Sequence, residues 1–206
     1  MSNNHTLDHK ATVVGLLLVI LAGTASAQPQ RVAVCVNEAP LAWSGSILQD
    51  RLLGHLSRNQ SGRFIPSGRI LPDGPPFPAD RYHLDSLVNW GLEAGVDHLL
   101  IVDVDNEQLR REKSFHLPLV FHKYETVGVI EGQLRLIDVA GGRLLVSEPF
   151  RVKEKGARIF QATMDDDIND PDLHLTASAK LRLFHSLEER LAAKITKRVE
   201  EFIHLR

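Results

Sequence analysis

The chain has 206 residues, of which 43% are hydrophobic and 24% are charged, and its formal net charge is −2. This composition supplies enough apolar side chains for the core of one domain. The near-neutral charge argues against general nucleic-acid binding, because that binding relies on a clear excess of Lys and Arg to neutralise phosphates.

Residues 1–27 have the pattern of a cleavable secretory signal. Lys10 and the amino terminus precede an apolar run at residues 13–22, which has the length of a signal core and is too short to span a bilayer. An Ala-Ser-Ala sequence ends at Ala27, so we predict cleavage between Ala27 and Gln28 and a periplasmic or extracellular protein. The alternative is an uncleaved N-terminal anchor. No second run of spanning length follows, so we expect no integral membrane segment after cleavage.

Residues 28–206 are predicted to form a single α/β domain, with a mixed sheet of about five strands, two helices and a long C-terminal helix packed on it. The predicted elements, in chain order, are a strand at 31–36, a helix from 46 to about 59, a short strand at 64–65, a helix at 84–92, a strand at 96–105, a hairpin at 127–153 and a helix at 181–202. Leu92 and Leu181 are counted in the apolar faces of the second and third helices. The strand at 96–105 changes from continuous to alternating apolar residues, which predicts that it leaves the core and runs to an exposed edge.

Proline and glycine residues predict where the chain forms loops and turns between these elements. Residues 66–79 hold five of the ten prolines and are predicted to be a long loop, either functional or disordered. Gly141 and Gly142 predict a tight hairpin turn, because adjacent glycines accept the positive φ that such turns require. Pro149 in the returning strand predicts a sheet edge or a bulge.

Cys35 is the only cysteine and lies within the apolar run Val-Ala-Val-Cys-Val. A single cysteine has no internal disulfide partner, and a free cysteine among aliphatic residues usually packs as a small hydrophobic side chain. A reactive thiolate is the alternative, but its neighbours lack the basic groups that would lower the thiol pKa. We therefore predict a buried, structural cysteine.

The acidic cluster at residues 165–172 has Asp165, Asp167 and Asn169 at the first, third and fifth positions of an EF-hand loop. Its sixth position is an aspartate where glycine is needed, and its twelfth is a threonine where a bidentate glutamate is expected. This departure favours a solvated acidic loop over a calcium site.

A zinc site formed by Asp103, Asp105, His116 and His122 is a second candidate, if the strand and the histidines converge. However, the chain contains no H-E-x-x-H or C-x-x-C spacing, which favours surface or loop histidines. The chain also lacks a G-x-S-x-G elbow, a phosphate-binding loop and a dinucleotide-binding G-x-G-x-x-G motif. We therefore assign no catalytic, cofactor-binding or metal-binding residue and no cofactor.

The order of the elements resembles that of a known envelope family. A helix ending in Gly-Val-Asp-His at residues 95–98 leads into an aliphatic strand at 99–102, and the later hairpin carries Leu-Ile-Asp-Val-Ala-Gly-Gly at 136–142. Together with the long closing helix, residues 31–205 resemble the α/β domain of curli-secretion channel lipoproteins and their relatives. Those relatives include the N-terminal domain of the Tol-system propeller protein and the lipoprotein activators of peptidoglycan synthases.

The resemblance implies a non-catalytic envelope domain that binds other envelope proteins. Gln28 stands where those lipoproteins carry their lipid-bearing cysteine, so a lipid anchor does not follow. Pore formation does not follow either, because Lys123 and Glu125 interrupt the only candidate membrane hairpin, residues 117–130. The function expected from the sequence is an exported binding module in cell-envelope assembly or maintenance, with envelope proteins as partners. The alternatives are an exported metal-dependent hydrolase and a small-ligand carrier whose lid is the proline-rich loop.

Overall fold

The computed structural model of the protein describes residues 30–37, 47–59, 63–67, 76–117, 121–161 and 175–203. The predicted signal, the acidic cluster and residues 68–75 of the proline-rich loop lie outside these ranges. The strands are β1 (Arg31–Asn37), β2 (Arg63–Pro66), β3 (His98–Leu117), β4 (Phe121–Asp138) and β5 (Arg143–Gln161). The helices are α1 (Ile47–Asn59), α2 (Leu84–Glu93) and α3 (Ala177–Ile203).

The strands form one five-stranded sheet in the order β2-β1-β3-β4-β5. β1 pairs in parallel with both β2 and β3, whereas β3, β4 and β5 are antiparallel to one another. The predicted α/β fold, with a mixed sheet and a long C-terminal helix, is therefore confirmed. Among the described residues, no helix is both long enough and apolar enough to cross a membrane.

β3 joins the parallel part of the sheet to the antiparallel part. Its first six residues lie between β1 and β4, but beyond Asp103 it pairs only with β4 among the described strands. A register shift between Val104 and Asn106 marks this change. The strand then continues to Leu117, well past the predicted end at residue 105.

Helices cover both faces of the sheet. On one face, α1 and α3 pack against the larger core cluster, which includes Leu52 and Phe184. On the other face, α2 packs against a smaller cluster that includes Trp90. Two positions assigned to apolar helix faces are wrong: Leu92 is 59% exposed and Leu181 is 44% exposed. Each helix buries only the stripe that meets the sheet, and these two side chains lie outside it.

The β4–β5 turn forms where the sequence predicted it, but only the second of its two glycines has the predicted positive φ. Gly142 has a φ of 59°, in the left-handed region that glycine occupies without strain. The Asp138 carboxylate accepts hydrogen bonds from the backbone N–H of Gly141 and from Nε of Arg143, both at 3.1 Å. The returning strand β5 lies at the edge of the described sheet, as Pro149 predicted.

Candidate functional site

The four residues proposed as a zinc site do not come together. His116 and His122 are direct cross-strand partners at the far end of the β3–β4 hairpin. Asp103 lies 13 residues before His116 on the same strand, which corresponds to about 40 Å at ~3.3 Å per residue. Asp105 is exposed at the register shift. Among the described residues, no three His, Cys, Asp or Glu side chains are grouped closely enough to hold a metal ion.

Asp103 instead forms a buried ion pair with Arg135. Oδ2 of Asp103 lies 2.6 Å from Nη2 of Arg135, and the two residues are only 4% and 8% exposed. Gln133 is the direct partner of Asp103 across β3 and β4, so Arg135 lies diagonally opposite on the same face of the sheet. Asn37, at the end of β1, donates a 2.6 Å hydrogen bond to Oδ1 of Asp103. This carboxylate is therefore engaged on both oxygens, which suits a structural role better than proton transfer.

Arg135 also holds the chain that leaves the proline-rich loop. Its Nη1 donates a hydrogen bond to the backbone oxygen of Arg81, and its guanidinium lies 4.9 Å from the centre of the Tyr82 ring. Nη1 of Arg81 is 3.6 Å from Oδ1 of Asp103. We call Asn37, Arg81, Tyr82, Asp103 and Arg135 the strand-end clamp, because they connect this segment to the end of β1 and to the last β3 residue that pairs with β1.

The strand-end clamp was missed in the sequence, although a signal for it exists. Asp103 ends an aliphatic strand, and Arg135 interrupts a second one, Leu-Arg-Leu-Ile. A charged residue inside an aliphatic strand needs a buried partner, because an isolated buried charge is costly. Two such interruptions on adjacent strands indicate an ion pair. The clamp fills the carboxyl ends of the parallel strands, the place where open α/β sheets commonly bind ligands.

Cys35 is buried beside the clamp, as predicted, at 7% exposure. Its thiol lies 3.6 Å from Oδ1 of Asn37, to which it donates a weak hydrogen bond. Burial raises the pKa of the thiol above its ordinary value, because it disfavours the charged thiolate. The thiol is therefore poorly suited to act as a nucleophile.

We expect Cys35 to react with a thiol reagent such as iodoacetamide about 100-fold or more slowly in the native protein than in urea, because labelling requires opening of the fold. Mass spectrometry of timed samples measures this ratio, and Cys35→Ser identifies background reaction at other groups. Labelling in the native state at the rate seen in urea would contradict a buried thiol.

His98 is a second buried titratable group, at the start of β3. It is 4% exposed, and its Nδ1 has no hydrogen-bond partner among the described residues. Burial lowers the pKa of its imidazole below the ordinary value, and the nearby carboxylates of Asp138 and Asp97 only partly oppose this effect. The folded state therefore favours the neutral ring.

Because the pKa of His98 is lowered, we expect the protein to lose stability in mild acid. Below about pH 6.5 the unfolded chain protonates this histidine more readily than the folded chain does, so the free energy of unfolding falls as the pH drops. Urea denaturation at pH 7.5 and 5.5 measures the effect. We expect His98→Gln to lose less stability between these pH values than the wild type, whatever its stability at pH 7.5. An equal loss in both proteins would remove His98 as the cause.

A further set of ion pairs joins α1 to α3. Arg51 contacts two adjacent carboxylates, Glu188 at 3.2 Å and Glu189 at 2.9 Å, and Nε2 of His55 lies 2.7 Å from Glu189. The hydrogen bond to His55 and, secondarily, that to Arg51 lower the pKa of Glu189. Glu188 is buried, whereas Glu189 is half exposed. These contacts align the two helices on the sheet.

An open groove lies between β5 and the C-terminal half of α3, and we call it the α3–β5 groove. Its volume is about 200 Å³. Leu134, Phe150 and Ile195 line it, and all three belong to the larger core cluster. Lys194 and Lys197 also line it, and both are exposed. The groove is thus a depression with an apolar, largely buried floor and lysines at its rim.

The other charged groups of the α3–β5 groove are paired with each other. Nε and Nη2 of Arg198 bind the two oxygens of Glu148 at 3.0 and 3.1 Å, and its Nη1 binds Glu201. The same guanidinium lies 4.9 Å from the centre of the Phe202 ring. One arginine therefore engages both acidic groups of the groove, and these three residues together keep a net charge of −1.

No protein-family model matches the sequence, and no curated protein matches it. Solved structures do resemble it. A lipoprotein from Neisseria meningitidis is 17% identical, with 77% of this chain and 99% of that chain covered and a TM-score of 0.42. A PelC dodecamer from Paraburkholderia phytofirmans is 13% identical, with 81% and 89% covered and a TM-score of 0.37.

TolB from Acinetobacter baumannii is 17% identical, with 59% of this chain and 23% of that chain covered and a TM-score of 0.34. The resemblance to the Tol-system propeller protein, predicted from the order of the elements, is thus confirmed as a weak and diffuse one. Similarity at this level concerns the arrangement of the chain and assigns no function to it.

Proposed function

We propose that the protein is an exported, non-catalytic binding module that acts in cell-envelope assembly or maintenance through contacts with other envelope proteins. The α3–β5 groove is the observation that carries this proposal. It is a concave surface whose floor is formed by core residues that are only 1–5% exposed and whose rim is charged, an arrangement that resembles the apolar centres and polar rims of protein interfaces. Export rests on the signal pattern of residues 1–27.

The surroundings of Asp103 support a binding function over the hydrolase alternative. Asp103 already accepts hydrogen bonds from Arg135 and Asn37. Among the described residues it is not grouped with two further His, Cys, Asp or Glu side chains, whereas a catalytic metal site commonly needs three protein ligands. The α3–β5 groove itself is smaller than most small-molecule sites. Small-molecule sites commonly have volumes of ~300–1,000 Å³, and this groove has about 200 Å³.

Photo-crosslinking in intact cells tests the proposal. Each full-length variant of a panel carries a photo-reactive amino acid at one exposed position. The positions include Lys197 in the α3–β5 groove and Arg110 on β3. We expect a processed protein outside the cytoplasm that crosslinks to envelope proteins identified by mass spectrometry. Retention in the cytoplasm, or a panel that captures no envelope protein from any position, would refute it.

A further inference from the structure

We infer that the α3–β5 groove binds an acidic segment of a partner protein, which inserts an apolar side chain against Phe150 and places carboxylates at Lys194 and Lys197. The inference rests on the proposed function and adds the chemistry of the partner. Three properties of the groove lead to it: its size, its charge and the interrupted strand edge beside it.

The size of the groove fits a side-chain anchor. Its volume of about 200 Å³ is below that of most small-molecule sites, but one or two apolar side chains fit. Phe150, Leu134 and Ile195 form its apolar floor, and because they are only 5%, 3% and 1% exposed, an anchor would rest on this floor without entering the core. Interfaces gain most of their affinity from a few such anchors in apolar pockets, surrounded by residues that exclude water.

The charge of the groove selects an acidic partner. Of its charged lining residues, Arg198 is engaged with Glu148 and Glu201. Lys194 and Lys197 have no ion-pair partner among the described residues, and both are exposed. Set against Glu148 and Glu201, the three cations Lys194, Lys197 and Arg198 give the groove a net charge of +1. A segment with carboxylates beside its anchor therefore finds two exposed lysines and is favoured over a basic segment.

The edge of β5 argues for recognition by side chains and not by strand addition. β5 lies at the outer edge of the described sheet, a position open in principle to pairing with an added strand. Pro149 lies between Glu148 and Phe150, beside the groove, and it has no backbone N–H to donate. A continuous ladder of backbone hydrogen bonds is therefore interrupted at the groove itself.

Peptide binding to the full domain without its signal, residues 28–206, tests the inference. The probes are three synthetic 12-residue peptides with the same central Leu-Phe pair, flanked by Asp and Glu, by Asn and Gln, or by Lys. Fluorescence anisotropy measures affinity, and ¹H–¹⁵N NMR shifts locate the contact. We expect the acidic peptide to bind about tenfold or more tightly than the neutral one, with shifts at residues 148, 150 and 194–201.

Charge reversal supplies the matched control. Lys194→Glu with Lys197→Glu is expected to weaken binding of the acidic peptide by about tenfold or more. Arg110→Glu with Arg182→Glu makes the same change in net charge away from the groove, and we expect less than a twofold loss. Circular dichroism confirms that both double variants fold, since all four side chains are exposed.

Three results would overturn the inference: equal affinity for the acidic and neutral peptides, equal losses in the two double variants, or NMR shifts confined to another surface. Self-association that Lys194→Glu with Lys197→Glu abolishes would assign the groove to a second copy of the chain and also overturn it. Crosslinking in cells distinguishes a failure of this inference from a failure of the proposed function. Envelope partners captured from other positions but not from Lys197 would leave the function standing and refute the groove.

Discussion

Replacing Asp103 by alanine should lower the free energy of unfolding by about 3–5 kcal/mol, which is the usual cost of removing one partner from a buried ion pair. The variant leaves the Arg135 guanidinium buried without its counter-charge. It also leaves the side-chain amide of Asn37 without the carboxylate to which it donates. Urea denaturation followed by circular dichroism measures the loss.

A double variant and a surface pair show whether burial causes this loss. Asp103→Leu combined with Arg135→Met removes both charges, and such a replacement is often neutral or stabilising, so we expect it to recover most of the stability. Glu131 and Arg151 form a more exposed ion pair at 2.8 Å, and Glu131→Ala should cost about 1 kcal/mol or less. An Asp103→Ala protein within 1 kcal/mol of the wild type would contradict the role of the clamp.

Replacing Gly132 by alanine should cost about 3 kcal/mol, at the upper end of the range for overpacking a well-packed interior. An added Cβ would overlap the backbone oxygen of Asp103 and lie 2.6 Å from Cζ of Phe150. The backbone of β3 is held by pairing with β4 on one side and with β1 on the other, so it has little freedom to move away. Thermal and urea denaturation both measure the effect.

Gly54→Ala is the matched control for this substitution. A Cβ at Gly54, in the middle of α1, would meet no atom within 4 Å. Alanine is favoured over glycine inside a helix by about 0.5–1 kcal/mol, so this variant should be slightly more stable than the wild type. If the two alanine variants had the same stability, close packing at Gly132 would not be the cause.

Elements whose cause is local were predictable from the sequence. The aliphatic run of β1 needs burial on both faces, and α2 and the α1–α3 layer provide it. In the β4–β5 turn, Gly142 accepts the positive φ that its local sequence predicted. Gly141 has no positive φ, and a Cβ there would instead lie 2.6 Å from Oδ2 of Asp138. The three- and four-residue spacing of apolar side chains in α3 predicted the long closing helix in the same way.

Elements whose cause is a distant partner were not predictable. Residues 105–113 of β3 are mostly polar, with no alternation that indicates a strand. They extend because β4 offers its backbone donors and acceptors along their whole length. Leu92 and Leu181 fit the helical periods, yet only the position of each helix on the sheet decides which apolar residues face it.

The candidate sites depended most on tertiary structure. Asp103 and Arg135 are 32 residues apart, and only the register between β3 and β4 makes them diagonal neighbours. The same register separates His116 and His122 from Asp103, so residue types suited to a metal do not form one site.

By itself, the sequence determined the α/β class, the order of the elements, the hairpin turn and the burial of Cys35, because each follows from interactions between residues close in the chain. The predicted export signal depends on the same local patterns. Only the tertiary structure decided the strand-end clamp and the α3–β5 groove. Glu148 and Arg198 meet across 50 residues of chain, and such contacts exist only after the sheet has set its register and α3 has packed on it.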